Sequence, residues 1–362
     1  MDQVPHRLLF AQLSRSYRGI EMYTSGVYFG SLEQSLAEIV SSIDSRFVIV
    51  YDERLTQHQL DVAAILERLS KRSTSYALVS GEKAKELSTL ADLWDFLGKE
   101  SITRSDVLIA IGGGSTTDLV GFAAATWMRG IRYINIPTTL LAMVDASVGG
   151  KTAINSSFGK NLIGSFHMPH AVFIDQRFLQ TLDSTEISNG LAEVVKCGFI
   201  QDPYILKLLE SQTRNYDELI QRSVRVKQHF VGDDPKESKQ GVREILNYGH
   251  TLGHAIERVL NYEMSHGQAI AIGMQFAAEL SFALGFIKKD LVERHKVALE
   301  GIGLQTTISN VSWNEVLPIM KRDKKNLTGK HRFILLKDLA LAEVVDGIDE
   351  AILEETYAKV CL

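Results

Sequence analysis

Two patterns of hydrophobic and polar residues follow each other along the chain. In the first half, short continuous apolar runs alternate with segments whose apolar residues recur every three or four positions. Such runs are typical of buried parallel strands, and such segments are typical of the helices that cover a sheet on both faces. The first half is therefore predicted to be an α/β domain. Its predicted strands are 46–52, 75–80, 105–114, 132–139 and 171–175, and its predicted helices are 56–70, 87–100 and 116–128.

The second half has helical periodicity almost throughout, and no strand is evident after about residue 186 until 331–337. We place a domain boundary near residue 180, which gives an α/β domain over 1–180 and a mainly α-helical domain over 181–362. Because no repeat, low-complexity tract or proline-rich linker separates them, the two domains are expected to pack closely. The predicted helices of this half are 186–200, 203–213, 216–231, 243–260 and 267–285.

The composition is that of a globular protein, and it indicates which partners and which cellular compartment to expect. The chain has 362 residues, 45% of them apolar and 23% charged, which is enough for about two domains. A net charge of −5 argues against a nucleic-acid-binding surface. The two cysteines, Cys197 and Cys361, have no metal or redox spacing, which fits a reducing compartment. With no secretory signal and no apolar run near ~20 residues, we expect a cytoplasmic protein without a membrane span.

A glycine-rich turn follows the third predicted strand. The segment 109–118, IAIGGGSTTD, ends a strand and opens a helix, where a phosphate can meet unpaired N–H groups and the positive end of the helix dipole. The dinucleotide fingerprint G-x-G-x-x-G is not complete because Thr117 occupies its third glycine position, so a plain tight turn is the alternative. Asp52 and Glu82 follow the first two strands, where open α/β sheets bind ligands. Together the three features favour a dinucleotide.

One predicted helix combines a polar stripe with an apolar surround. If 243–260 is a continuous helix, then Arg243, Asn247, His250 and His254 fall within an arc of about 60° at ~100° per residue. The rest of the helix is largely apolar. A solvated face is the alternative, but four aligned polar residues in such a helix favour a shared function.

Two other helices carry possible metal ligands. Glu193 stands one turn before Lys196 in an apolar helix, and His266 begins another very apolar helix. A surface ion pair is the alternative for Glu193 and Lys196. With His250, these helices supply one carboxylate and two imidazoles, the donors of a zinc-type site with an open position. The spacing leaves open whether the three side chains meet.

The candidate segments contain more basic residues than a metal site alone would require. The glycine-rich segment 145–166 is a polar loop between apolar runs, and it contains Asp145 and Asn161 beside two of the lysines. Although most lysines only solvate a surface, those in glycine-flanked or apolar contexts suggest an anionic substrate with a phosphate and a carboxylate. The basic residues in question are Arg129, Lys151, Lys160, Lys196, Lys227, Arg243 and Lys324.

Seven ordered segments resemble the successive signatures of the 3-dehydroquinate synthases, the sugar-phosphate cyclases of the shikimate pathway and hence of aromatic amino acid biosynthesis. The resemblance runs from about residue 46 to 337, and Ala153 and Thr117 are small departures where glycine is frequent in the family. The segments are 112–131, 136–155, 159–169, 190–198, 246–257, 266–274 and 323–336.

The resemblance implies two cofactors. It implies a Rossmann-like N-terminal domain that binds NAD and a helical C-terminal domain that binds zinc or cobalt through Glu193, His250 and His266. The segment 178–181 would close over the NAD. The implied NAD-binding residues are Asp52, Glu82, Lys85, Gly114, Ser115, Thr116, Thr117, Asp118, Thr138, Thr139, Lys151, Lys160, Phe178, Leu179, Gln180 and Thr181.

The resemblance also implies a substrate site and a partner. Arg129 matches an arginine that reaches the neighbouring subunit's site, which implies a homodimer. We expect the phosphate to be bound by Lys151, Asn161, His254 and Arg243, and the carboxylate and hydroxyls by Lys160, Lys227, Asn247 and Lys324. Asp145 would lie between substrate and nicotinamide, and Lys196 would contact the substrate beside the metal.

The implied reaction converts 3-deoxy-D-arabino-heptulosonate 7-phosphate to 3-dehydroquinate and phosphate. Its steps are transient oxidation by NAD, β-elimination of phosphate, reduction, ring opening and intramolecular aldol closure. Three alternatives are a glycerol-dehydrogenase-like NAD oxidoreductase, a cyclase for another sugar phosphate, and a binding module that kept the fold without catalysis. The intact Glu193, His250 and His266 argue against the last.

Overall fold

A computed structural model describes residues 26–211, 214–238, 241–322 and 332–362. Ten strands and twelve α-helices lie within these residues. The strands are β1 Gly26–Phe29, β2 Phe47–Asp52, β3 Ser73–Leu78, β4 Val107–Gly112, β5 Arg132–Pro137, β6 Lys151–Ser156, β7 Gly159–Phe166, β8 Ala171–Ile174, β9 Arg332–Asp338 and β10 Leu341–Asp346. The helices are α1 Leu32–Ser41, α2 Thr56–Arg68, α3 Leu87–Lys99, α4 Gly114–Thr126, α5 Ser184–Ile200, α6 Pro203–Glu210, α7 Tyr216–Asp233, α8 His250–Val259, α9 His266–Ala283, α10 Lys289–Glu300, α11 Trp313–Arg322 and α12 Glu350–Tyr357.

The N-terminal part is built on a six-stranded sheet in the order β1-β8-β5-β4-β2-β3, and every pair in it is parallel. Alternate residues of β2 enter different cores: Phe47 and Ile49 pack into one hydrophobic cluster, whereas Val48 and Val50 pack into the other. Because both faces are covered, central strands such as β2 and β4 are apolar over nearly their whole length, whereas the edge strand β3 has exposed polar residues. The predicted parallel sheet is confirmed.

The same sheet has a topological switch point. From β2 the chain moves outward to β3 and then returns to the other side of β2 as β4. The carboxyl ends of β2 and β4, at Asp52 and Gly112, therefore border a crevice from which the connections diverge. Ligands of open α/β sheets bind in such crevices.

One hydrophobic cluster joins the sheet to the helices of the C-terminal part. It includes Ile134 of β5, Val195 of α5 and Ile270 of α9. We propose that the domains divide at residue 180, within the 3-10 helix Gln176–Thr181 that precedes α5. The helical C-terminal fold is confirmed, and β10 adds an antiparallel partner to the predicted strand β9. None of the described helices has the length and hydropathy that a membrane span requires.

The polar segment 145–166, which was predicted to be a loop, contains two strands. Strands β6 and β7 pair as an antiparallel hairpin. Thr152 and Ile154 of β6 are buried, whereas most of β7 is exposed. A side chain at Gly164 would overlap the carbonyl oxygen of Thr152, so glycine permits the close pairing at this position.

The prediction of one helix over 243–260 is wrong. A 3-10 helix covers Val242–Asn247, and α8 begins only at His250. Between them, Gly249 is left-handed at φ 80°, and a Cβ on Gly273 of α9 would overlap the Gly249 carbonyl oxygen. The close approach of α8 and α9 at these two glycines therefore requires the interruption of the helix at Gly249. As a result, Arg243, Asn247, His250 and His254 do not form one polar stripe of about 60° on a continuous helix.

The crossing can be tested by substitution. We expect Gly273→Ala to lower the free energy of unfolding by about 3 kcal/mol, because its methyl group must displace backbone. Gly232→Ala in α7 is the matched control, since a Cβ there meets no described atom within 4 Å apart from the backbone of its own helix. It should be neutral or stabilising by up to about 1 kcal/mol. Urea unfolding of both variants provides the measurement, and equal stabilities would contradict the role of the crossing.

Candidate active site

Three helices bring one carboxylate and two imidazoles together. Glu193 lies in the middle of α5, whereas His250 and His266 are the first residues of α8 and α9. Their ligand atoms lie within 4.8 Å of one another. Glu193 Oε1 is 3.5 Å from His250 Nε2 and 3.4 Å from His266 Nε2. This oxygen is buried and has no hydrogen-bond partner in the described part of the chain, so the donor set fits a divalent metal.

Contacts of the Nδ1 atoms orient both histidine rings. Nδ1 of His266 is 3.4 Å from the Glu257 carboxylate, and Nδ1 of His250 donates to the Tyr248 carbonyl oxygen at 3.0 Å. These contacts leave each Nε2 directed at Glu193, as is usual for metal-binding histidines. Sequence reasoning missed Glu257. Its signal was a carboxylate in an apolar helix, seven residues after His250 and so on the same helical face.

A second group of possible ligands shares His266. His254, Glu257 and His266 also have ligand atoms within 4.8 Å of one another. His254 is exposed and Glu257 pairs with the rear nitrogen of His266, whereas Glu193 Oε1 is buried and faces two imidazoles. The first group is therefore the better metal set. The His254 ring lies beside it, 5.1 Å from the His250 ring centre.

Burial and neighbouring charges shift the pKa values of all three ligands. Burial alone would raise the pKa of Glu193, but Lys196 and then His266 hold it at about 2. Burial and the Lys196 ammonium put the pKa of His250 well below its ordinary value. Burial would lower the pKa of His266, but Glu193 and Glu257 raise it to about 10. Glu193 is thus ionised and His250 neutral, while His266 must release a proton when a metal binds.

Further cations surround the metal set. Lys196 is buried and ion-paired with Glu193. Lys227 of α7 donates to Asp145 Oδ1 at 2.5 Å and to the Asp145 carbonyl at 2.6 Å. Burial would raise the pKa of Asp145, but the Lys227 ammonium holds it below its ordinary value. Asp145 lies in the π-helical turn Ala142–Ala146, which connects this site to β5 of the sheet.

Arg243 is buried beside the same turn. Its Nη1 donates to the Pro235 carbonyl at 2.5 Å and its Nη2 to the Gly149 carbonyl at 2.9 Å. A Cβ on Gly149 would lie 3.2 Å from both Arg243 and Lys227, so glycine allows the two cations to converge. Nε of Arg243 is buried without a hydrogen-bond partner among the described residues, which leaves one oriented donor for a ligand.

Lys151 and Asn247 meet on one carboxylate. Lys151 forms an ion pair with Glu237, and Asn247 donates to Glu237 Oε1 at 3.0 Å. Two residues expected to contact an anionic substrate are therefore already arranged around an anion. Sequence reasoning did not identify Glu237, which lies just after α7 in a segment without a distinctive pattern.

Several of the predicted NAD-binding residues lie at the carboxyl edge of the sheet. Gly113 precedes α4 and gives it no side-chain cap in the described structure. A Cβ on Gly113 would lie 3.2 Å from Thr139, and a Cβ on Gly114 3.1 Å from Ala146. This narrow cradle with open helix N–H groups fits a pyrophosphate. The turn continues through Ser115, Thr116, Thr117 and Asp118, and Thr138 follows β5.

Asp52 is already engaged at this edge. Arg54 contacts both of its carboxylate oxygens, at 3.0 and 2.8 Å, and the Ser80 hydroxyl donates at 2.6 Å. Burial would raise the pKa of Asp52, but these hydrogen bonds hold it below its ordinary value. The carboxylate therefore stays ionised.

The β6–β7 hairpin contacts the 3-10 helix Gly81–Lys85, which follows β3. Asn155 donates to Glu82 Oε1 at 2.7 Å, and Asn161 contacts Lys85. Lys85 also pairs with Asp118 at 2.5 Å. Asn155 had no expected role from the sequence, and the structure makes it one of the contacts between hairpin and sheet. Lys160, also on the hairpin, lies 3.8 Å from Glu82 and 4.4 Å from the centre of the Tyr262 ring.

The remaining predicted residues are the segment 178–181, Arg129 and Lys324. Phe178 packs edge-on against His58 at 4.8 Å, within the 3-10 helix that also contains Leu179, Gln180 and Thr181. Arg129 is exposed beyond the far end of α4, about 20 Å from the glycine turn at 1.5 Å per helical residue, so the structure does not bring it to the site of its own chain. Lys324 lies outside the described residues.

Comparisons with known proteins show which family the chain is similar to. Family models described as 3-dehydroquinate synthase N-terminal and C-terminal match residues 75–189 and 190–326. A 3-dehydroquinate synthase of Pseudarthrobacter chlorophenolicus is 43% identical over 334 residues, which cover 90% of this chain and 92% of that protein.

Two solved structures share the fold. A 2-epi-5-epi-valiolone synthase of Streptomyces hygroscopicus with bound NAD⁺ and Zn²⁺ has a TM-score of 0.86 at 23% identity, over 96% of this chain and 99% of that one. A 2-deoxy-scyllo-inosose synthase complexed with carbaglucose-6-phosphate, NAD⁺ and Co²⁺ has a TM-score of 0.80 at 25% identity, over 92% of this chain and 96% of that one.

Proposed function

The chain belongs to the 3-dehydroquinate synthase family, and we propose that it converts 3-deoxy-D-arabino-heptulosonate 7-phosphate to 3-dehydroquinate and phosphate. The observation that carries the proposal is the convergence of Glu193, His250 and His266 with a group of buried cations. A dehydrogenase of a neutral polyol has no need of these cations. A substrate with a phosphate and a carboxylate needs them near the carbon that reacts.

The cofactors are NAD and one divalent metal, zinc or cobalt. Glu193, His250 and His266 hold the metal, and the glycine turn at the head of α4 holds the pyrophosphate of NAD. When bound, NAD supplies a reversible hydride acceptor, and the metal polarises oxygens at the reacting carbon. The orphaned Glu193 Oε1 and the narrow glycine cradle are the features of this chain that fit the two groups.

One group of polar and cationic residues is assigned to the phosphate of the substrate, and another group to its carboxylate and hydroxyls. The unpaired Nε of Arg243 is assigned to the phosphate, with Lys151, Asn161 and His254 as further phosphate contacts. Lys160, Lys227, Asn247 and Lys324 take the carboxylate and ring hydroxyls. Asp145, kept ionised by Lys227, is assigned to the space between the substrate and the nicotinamide, and Lys196, paired with Glu193, is assigned to a contact with the substrate.

We further propose a cytoplasmic homodimer. Arg129 is exposed at the end of the 3-10 helix Trp127–Arg129, next to Met128, which is 48% exposed. An arginine in this position can reach a neighbouring subunit although it cannot reach its own site. Cys197 and Cys361 are both free thiols, in keeping with a reducing compartment.

Phosphate release tests the proposed function. Metal-loaded protein with NAD and the heptulosonate phosphate should release one phosphate per substrate without net formation of NADH, because the hydride returns to the product. Release of phosphate only from another sugar phosphate would identify a different cyclase. Accumulation of NADH with a simple polyol would identify an oxidoreductase. Either result, or none with both cofactors bound, would overturn the assignment.

A further inference from the structure

A completely buried histidine lies behind the metal set. His295 of α10 stacks on Phe199 of α5, with ring centres 3.5 Å apart and an interplanar angle of 12°. Phe199 is on the same helix as the proposed metal ligand Glu193. His295 takes no part in the proposed chemistry, and a buried imidazole needs partners for both of its nitrogens.

The hydrogen bonds of His295 fix its tautomer. Nδ1 lies 2.7 Å from the Leu291 carbonyl oxygen, which can only accept, so Nδ1 carries the proton. Burial lowers the pKa of His295 to about 3, and the ring is therefore neutral. Nε2 is then an acceptor, and the hydroxyl of Tyr248 donates to it at 2.9 Å. The imidazole thus holds the tyrosine hydroxyl in one direction.

Tyr248 connects this histidine to the metal set. It is fully buried and lies in the break before α8, where its ψ of 125° ends the 3-10 helix and Gly249 turns left-handed. Its carbonyl oxygen accepts from Nδ1 of His250. The side chain of Tyr248 is therefore anchored to α10 while its main chain orients the imidazole of His250. The direction of that carbonyl depends on two soft backbone angles next to a glycine, so an anchor on the side chain matters.

We propose that His295 is a positioning residue of the metal centre, which holds Tyr248 so that its carbonyl oxygen directs His250 Nε2 toward the metal. The proposal rests on the metal set given under the proposed function. The chain of contacts runs from His295 Nε2 to the Tyr248 hydroxyl, and from the Tyr248 carbonyl to His250. A histidine that merely fills the core would contribute stability but would not affect metal affinity.

Metal affinity of full-length variants is the deciding measurement. Tyr248→Phe removes only the hydroxyl, and His295→Phe keeps an aromatic ring against Phe199. We expect each to weaken Zn²⁺ binding about tenfold in competition with a chelator, the lower end of the range for outer-shell partners. The double variant should bind no more weakly than the single ones, because both remove the same hydrogen bond. The absorption bands of the Co²⁺-loaded protein should shift in the same variants.

Tyr357→Phe is the matched control. The Tyr357 hydroxyl donates to the Val311 carbonyl at 2.8 Å in another buried part of the C-terminal half, so its loss has a similar cost in stability. Unchanged metal affinity in this variant is expected. A folded Tyr248→Phe variant with the affinity and Co²⁺ spectrum of the parent would overturn the proposal, and so would an equal loss in Tyr357→Phe. Metal binding by the parent chain and its phosphate release test the proposed function separately.

Discussion

We expect His250→Ala to lose the bound metal and the activity together. His250 is one of only three protein ligands in the proposed set, and its neutral imidazole already faces Glu193 Oε1 at 3.5 Å. Without it, two ligands remain, and a divalent ion is no longer held against solvent. Loss of the polarising ion removes several kcal/mol of transition-state stabilisation, which is on the order of a thousandfold in rate. Metal content per chain and phosphate release at saturating NAD measure the two effects.

The control for this experiment is His229→Ala. His229 is an exposed residue of α7 whose only described ion-pair contact is with Asp233 of the same helix at 3.7 Å. This variant should retain metal and activity. Chelation of the metal from the parent should reproduce the His250→Ala result and be reversed by added Zn²⁺ or Co²⁺. Stoichiometric metal in His250→Ala would remove His250 from the ligand set.

The sheet could be predicted because its information is local. Strands such as β2 and β4 are buried on both faces, so they are apolar over nearly their whole length and stand out from the helices around them. Their carboxyl ends share one edge, which made Asp52 and the glycine turn candidates for a common ligand. The identities of Glu193, His250 and His266 as possible ligands were also evident. Their meeting was not, because it depends on how three helices cross.

The missed features depend on contacts between distant segments. The break at Gly249 is imposed by Gly273, which is 24 positions later and packs against its carbonyl. The spacing of apolar residues within 243–260 cannot reveal that contact, because Gly273 lies outside this segment. The hairpin formed by β6 and β7 was also missed, because β7 is exposed over most of its length and lacks an apolar run. Asn155 becomes meaningful only when this hairpin brings it to Glu82.

The second large effect is expected from Arg243→Lys, which keeps the charge but not the geometry. Arg243 spans the Pro235 and Gly149 carbonyls with its two Nη atoms, and this fixes the direction of its unpaired Nε. A lysine ammonium cannot reach both carbonyls and at the same time present a donor along the Nε direction. We expect kcat/KM for phosphate release to fall on the order of a hundredfold, which corresponds to about 3 kcal/mol for a charged hydrogen bond lost in the transition state. Bound metal should remain stoichiometric, because Glu193, His250 and His266 are unchanged.

Arg332→Lys is the control that distinguishes the loss of the Arg243 donor from weaker anchoring of the 3-10 helix Val242–Asn247. Arg332 contacts both carboxylate oxygens of Glu244, the neighbour of Arg243, at 2.9 and 2.7 Å, and it is partly exposed. Its replacement weakens the anchoring of the same helix but removes no donor from the site. Since partly exposed ion pairs contribute little, kcat/KM should stay within about threefold of the parent. A comparable fall in both variants would mean that the helix needs only to be held in place, and Arg243 would then have no direct part in binding the phosphate.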